Sequence, residues 1–241
     1  MDINEFEKMV NQKEATIQTS YSNVMRKVYL WMTLALVITG ITAYGVATSP
    51  AITTAIFSNR IIMWGLIIAE FGLVIGISGG INKLSLSTAT LLFIIYSVIN
   101  GAMLSTIFFA YTTTSIAKVF FISAATFGVT AMFGYTTKRD LNGLGRILFM
   151  ALIGLVIATL VNMFLHSSGF DYILSFIGVG IFIGLTAWDS QKIRQNLVAA
   201  TDAGYYGESL QKIALLGALS LYLDFINLFL YLLRIFGSNR N

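Results

Sequence analysis

The sequence of 241 residues has no cysteine. That excludes disulfides and thiolate metal sites and leaves the redox compartment unread. With a single histidine as well, a zinc site lacks its usual ligands. Proline occurs once, at Pro50, against 21 glycines, which fits helices packed closely through small residues. Charge is the most telling shortage. Charged residues make up 11% of the chain, where an ordinary soluble domain carries roughly 25%. Hydrophobic residues make up 56% and the mean hydropathy is +0.79. Too few charges remain to cover the surface of a water-soluble fold, so lipid must be the solvent for most of the chain. The net charge of +4 is scattered over loops and tails, with no basic run long enough for nucleic acid.

A helix crosses a bilayer with about 20 apolar residues. Seven runs qualify: Val28–Thr48, Ile61–Ile81, Leu86–Phe109, Ile116–Tyr135, Ile147–Leu165, Tyr172–Trp188 and Ile213–Leu233. None alternates as a membrane barrel strand does. The expected fold is therefore an all-α membrane protein with seven transmembrane helices. Its organisation is a polar N-terminal tail (1–27), a membrane domain (28–236) and a short C-terminal tail (237–241). The first run is too long for a signal-peptide core and reads as a retained span. With the N-terminus in the cytoplasm, 11 of the 15 Lys and Arg fall on inner segments and 4 on outer ones. That bias supports the orientation, and an odd number of spans puts the C-terminus outside. A re-entrant last helix would put it inside.

Three carboxylates lie in or beside these runs: Glu70, Asp189 and Asp224. Each costs about 2.5–3.5 kcal/mol on insertion scales, and such residues mark ion and proton pathways. Steps of three and four along the last run join Gly217, Ser220, Asp224, Asn227, Tyr231 and Arg234 on one face. That stripe suits a cavity-lining helix or, alternatively, a hydrogen-bonded seam. Asp189 sits where the sixth run ends and reads either as a solvated helix end or as a partner for Asp224. If the membrane core begins at Ile213, Asp224 lies about 16 Å deep and the pair is hard to form. If the two meet, they titrate as a unit, and when ionised they offer a hard-cation site of the kind Ca²⁺ prefers. Glu70 reads as part of a cation path or as a group with a buried partner. Gly72, Gly76 and Gly80 on its helix, and Gly180 and Gly184 on the sixth, read as close-packing faces. Asn100 and Asn162 read as interhelical hydrogen-bond donors, and His166 as a loop residue without a role.

The run Leu219-Ser220-Leu221-Tyr222-Leu223-Asp224-Phe225-Ile226-Asn227-Leu228-Phe229, with Leu232-Leu233-Arg234-Ile235-Phe236-Gly237, resembles the C-terminal motif of the Bax inhibitor-1 family. Gly184-Leu185-Thr186-Ala187-Trp188-Asp189 resembles that family's sixth-helix motif, and Gly134-Tyr135-Thr136-Thr137-Lys138-Arg139-Asp140-Leu141 looks like its bacterial inner-membrane branch. The resemblance implies a last helix that is central and surrounded by the other six. It implies a pH-sensitive calcium leak of the cell inner membrane with no cofactor, Ca²⁺ and protons being the species handled. The acid pair then falls on Asp189 and Asp224, which would hold Ca²⁺ transiently. The cation path falls on Glu70, Asp224 and Asn227. The family's basic latch at the inner end of the second helix is replaced here by Ile81-Asn82-Lys83, which makes Lys83 the candidate latch.

Two other functions compete. A non-transporting regulator would bind other membrane proteins through the polar tail or the segment from Asp189 to Gln211. An intramembrane aspartyl protease would also need two aspartates on neighbouring helices, but the Gly-x-Gly-Asp pattern of such enzymes is missing, since Leu221-Tyr222-Leu223 precedes Asp224. No enzymatic role is expected.

Overall fold

The computed structural model describes residues 3–240. Nine helices follow one another among them: α1 (Ile3–Ala47), α2 (Pro50–Phe57), α3 (Arg60–Gly80), α4 (Leu86–Leu104), α5 (Ile107–Ala110), α6 (Thr113–Thr136), α7 (Asn142–Leu165), α8 (Ser168–Asp202) and α9 (Glu208–Phe236). Seven helical stretches are long and apolar enough to cross a membrane: Ser22–Ala47 of α1, α3, α4 with α5, α6, α7, α8 and α9. These are the seven expected spans.

Capping side chains set several boundaries. Asn59, Ser85, Thr112 and Ser167 precede α3, α4, α6 and α8, and each accepts a hydrogen bond from a first-turn backbone N–H. In a span such a bond satisfies a donor that lipid cannot. The α8–α9 turn closes on Gly204 and Gly207, both with positive φ. The outward faces carry large apolar side chains such as Ile61, Phe71, Phe121, Val129 and Phe164, as a lipid solvent requires.

The last helix is the hub. Two thirds of its apolar window (67%) is buried, against 6% for α3 and 11% for α7. Its main neighbours are α8, α1, α6 and α4, while α3 packs chiefly on α4, and α7 on α8. The expected central helix is present, and four helices form its immediate wall. Close approach depends on a few glycines. A Cβ on Gly134 of α6 would overlap the Ala187 backbone of α8, and one on Gly101 of α4 would meet the Thr39 backbone of α1. The glycines singled out from the sequence fare less well. Gly184 touches Leu148 of α7, but nothing lies within 4 Å of a Cβ built on Gly72, Gly76 or Gly180, and Gly80 meets only Leu84 of its own turn. The α3 glycines thus face away from the bundle.

The helix ends define two faces. The proximal face carries the α3–α4, α6–α7 and α8–α9 turns; the distal face carries α2, α5 and the C-terminus. Glu208, at the start of α9, accepts a bond from Leu86 N on the proximal face at 3.0 Å. Beyond the end of α9, Ser238 N donates to Ser115 Oγ at 2.9 Å on the distal face. The last helix therefore traverses the whole bundle and is not re-entrant.

Candidate functional site

The sequence left Asp189 at a helix end, and here the structure differs. The apolar stretch stops near Trp188, but α8 continues to Asp202, because polar residues sustain a helix once it leaves lipid. Asp189 is thus 13 residues before the end of α8, and Asp224 is 16 residues after the start of α9. At about 1.5 Å per residue the two differ in height by roughly one turn. The two carboxyl groups are neighbours across the α8–α9 contact, close enough to act on one another electrostatically. Asp224 is 5% exposed, and its Oδ2 is shut off from every other hydrogen-bonding group among the described residues.

Asp189 forms the inner end of a cleft of about 510 Å³ between α3, α8 and α9. Ser78, Lys192, Asn196, Gly217 and Ser220 line it with Ile193, Ile213 and Leu216. Towards the proximal face it adjoins a second hollow of about 320 Å³, which shares Ile213 and Leu216. Beyond Asp224 the polar stripe of α9 is closed. Asn227, half-buried, donates to the Leu223 carbonyl of its own helix at 2.8 Å. The Tyr231 ring occupies the space over Gly178 and stacks on Phe182 at 5.9 Å. Arg234 lies over Tyr231 and pairs with Asp171 at 3.4 Å. The stripe is cleft on its proximal half and seam on its distal half.

Glu70 belongs to a separate network on the opposite side of α9. Asn100 Nδ2 donates to Glu70 Oε1 at 2.9 Å, and the Tyr222 hydroxyl donates to Asn100 Oδ1 at 3.0 Å. Thr39 Oγ1 lies 2.7 Å from the Tyr222 hydroxyl and 3.0 Å from the Ser97 carbonyl. Two hydroxyl protons serve three contacts. With Tyr222 donating to Asn100, Thr39 shares its one proton between the Ser97 carbonyl and the Tyr222 hydroxyl. Tyr222 is fully buried against the rings of Phe93 and Tyr96.

Asn100 is thus the interhelical donor expected of it. Asn162 is not: its Oδ1 accepts from Ser167 N in the α7–α8 turn at 3.3 Å. Lys83, the expected latch, is exposed and makes no ion pair with either aspartate among the described residues. The cation that acts on Asp189 is Lys192, one turn along the same helix. Sequence reading passed over Lys192, Tyr222 and Thr39. Only the i, i+3 spacing from Asp189 could have flagged the first. A phenol inside an otherwise apolar run could have flagged the second.

Known proteins share this architecture's sequence over nearly its whole length. A family model described as "Inhibitor of apoptosis-promoting Bax1" matches residues 21–241. The inner membrane protein YbhL of Escherichia coli strain K12 is 48% identical over 229 residues, 95% of each chain. An uncharacterized protein of Borreliella burgdorferi is 45% identical over 218 residues, 90% of this chain and 92% of its own. One from Rickettsia prowazekii, RP147, is 41% identical over 232 residues, 95% of each. With the family model matching residues 21–241 and these relatives alike over nearly their whole length, the chain belongs to the Bax inhibitor-1 family of membrane proteins.

Proposed function

We propose that this protein is a cation leak of the cell inner membrane, with Ca²⁺ as the permeant ion and the Asp189–Asp224 pair as its proton-dependent gate. The observation that carries the reading is a half-buried Asp189 on the wall of a cleft, with the buried Asp224 behind it on the neighbouring helix. While the two share a proton, the pair joins α8 to α9 and carries one negative charge. Loss of that proton puts two like charges in contact in a poorly hydrated site. Both the α8–α9 contact and the attraction for a cation therefore change with pH. Ca²⁺ prefers six to eight oxygen ligands, and the pair supplies at most four. An ion there keeps much of its water, which suits passage rather than storage. The positive-inside bias makes the proximal face cytoplasmic, so the cleft opens to the cytoplasm and the Tyr231–Phe182 seam closes the far side. Localisation in the inner membrane is supported by the likeness to YbhL.

The test is Ca²⁺ flux in proteoliposomes across a pH series. Wild type passes Ca²⁺ in a pH-dependent manner, and Asp189→Asn and Asp224→Asn lose that dependence. Equal profiles in all three proteins would remove the pair from the mechanism.

A further inference from the structure

Lys192 is the one charged side chain besides Asp189 on the cleft wall among the described residues. In a helix it stands one turn from Asp189, about 4.5 Å nearer the open end, so an ion entering from the proximal face meets it first. Its ammonium lies over the Trp188 ring, 4.5 Å from the centroid. That ring is fixed from behind: its Nε1 donates to Asn142 Oδ1 at 3.2 Å, and it fills the space over Gly145. The neighbouring lysine is different in kind. Lys212, on the adjoining hollow, is neutralised by Glu208 at 3.1 Å. Lys192 has no carboxylate within 4 Å among the described residues. Its charge is therefore held in no direct ion pair, and Asp189 acts on it only from one turn away.

We propose that Lys192 is the valence discriminator of the cleft, a tethered cation parked on Trp188 that holds divalent ions out more strongly than monovalent ones. The proposal rests on the leak reading and adds a specificity residue to it. Its physical basis is elementary: a fixed potential multiplies the local concentration of an ion by a Boltzmann factor whose exponent carries the ion's charge. The factor for a divalent ion is thus the square of the factor for a monovalent one. A unit charge at about 7 Å in a water-filled cleft gives roughly threefold for K⁺, and so roughly tenfold for Ca²⁺.

The experiment reconstitutes wild type, Lys192→Met, Lys192→Arg and Lys192→Glu at one pH and low ionic strength, and measures K⁺ and Ca²⁺ flux in each. Lys192→Met should raise K⁺ flux roughly threefold and Ca²⁺ flux roughly tenfold. Lys192→Arg should return both to wild type, and Lys192→Glu should push both further along the same square relation. Raising the salt should shrink every ratio. Equal factors for the two ions, a fall in flux or no change would each overturn the proposal, since a merely structural role gives no dependence on ion charge. Mn²⁺ binding to the detergent-solubilised proteins, read by electron paramagnetic resonance, separates the proposal from the leak itself. If no protein passes ions, the leak reading fails. Lys192 then stands if the Met variant binds Mn²⁺ roughly tenfold more tightly, and falls if the affinities match.

Discussion

Tyr222 and Asp224 are two residues apart on one helix, both out of reach of solvent, and their surroundings are opposite in kind. Tyr222 has a partner on each side of its hydroxyl and ends a run of bonds tying α1, α4 and α3 to α9. Asp224 has an oxygen with no hydrogen-bond partner among the described residues. In lipid, a polar group with complete bonds contributes cohesion and little else. A polar group with an open valence changes the structure when its proton comes or goes. The first region holds the bundle together; the second is where the proposed gate would respond to pH.

Four experiments break or sharpen that contrast. The largest effect belongs to Asp224→Asn, which keeps the side-chain shape and removes the titration. The ratio of Ca²⁺ fluxes at pH 8 and pH 5 should fall to about one, because a coupled pair with one member removed has no shared proton. Tyr222→Phe should instead cost about 1–2 kcal/mol of stability in a detergent unfolding titration, by leaving Asn100 and Thr39 short of a partner. It should leave the pH ratio of the flux in place; a lost ratio would erase the distinction between the two regions. A double-mutant cycle of Glu70→Gln and Asn100→Leu should give a coupling of about 0.5–1.5 kcal/mol. The smallest effect is expected at Arg234→Ala. Its pair with Asp171 is partly exposed, so the change should stay within about 1 kcal/mol and fade in high salt.

The seven spans were legible because lipid imposes length and apolarity on every crossing segment, and nothing in the sequence competes with that signal. The acid pair was legible as two costly residues, but its geometry was not. Hydropathy marks where lipid ends, whereas Asp189 is positioned by the helix, and α8 runs 14 residues past its apolar stretch, from Trp188 to Asp202. The glycines of α3 misled for a related reason. Spacing shows that Gly72 and Gly76 share a face, but only the packing shows that this face looks outward. Lys83 and Lys192 are equally cationic in sequence, and the choice between them turned on which helix face borders the cleft. The Tyr222 network joins side chains of four helices, which no single stretch of sequence contains.

The most enclosed helix is also the last of the described helices in chain order. Until the segment from Glu208 onward leaves the ribosome, the earlier spans stand in the bilayer around a vacant axis, and Thr39 and Asn100 there lack the Tyr222 hydroxyl that joins them in the finished bundle. The spans that wall the axle are therefore made before the axle itself. A chain stopped by a late nonsense codon would keep most of its mass and hydrophobicity yet present unmatched polar groups to lipid, the kind of lesion membrane proteases are equipped to find.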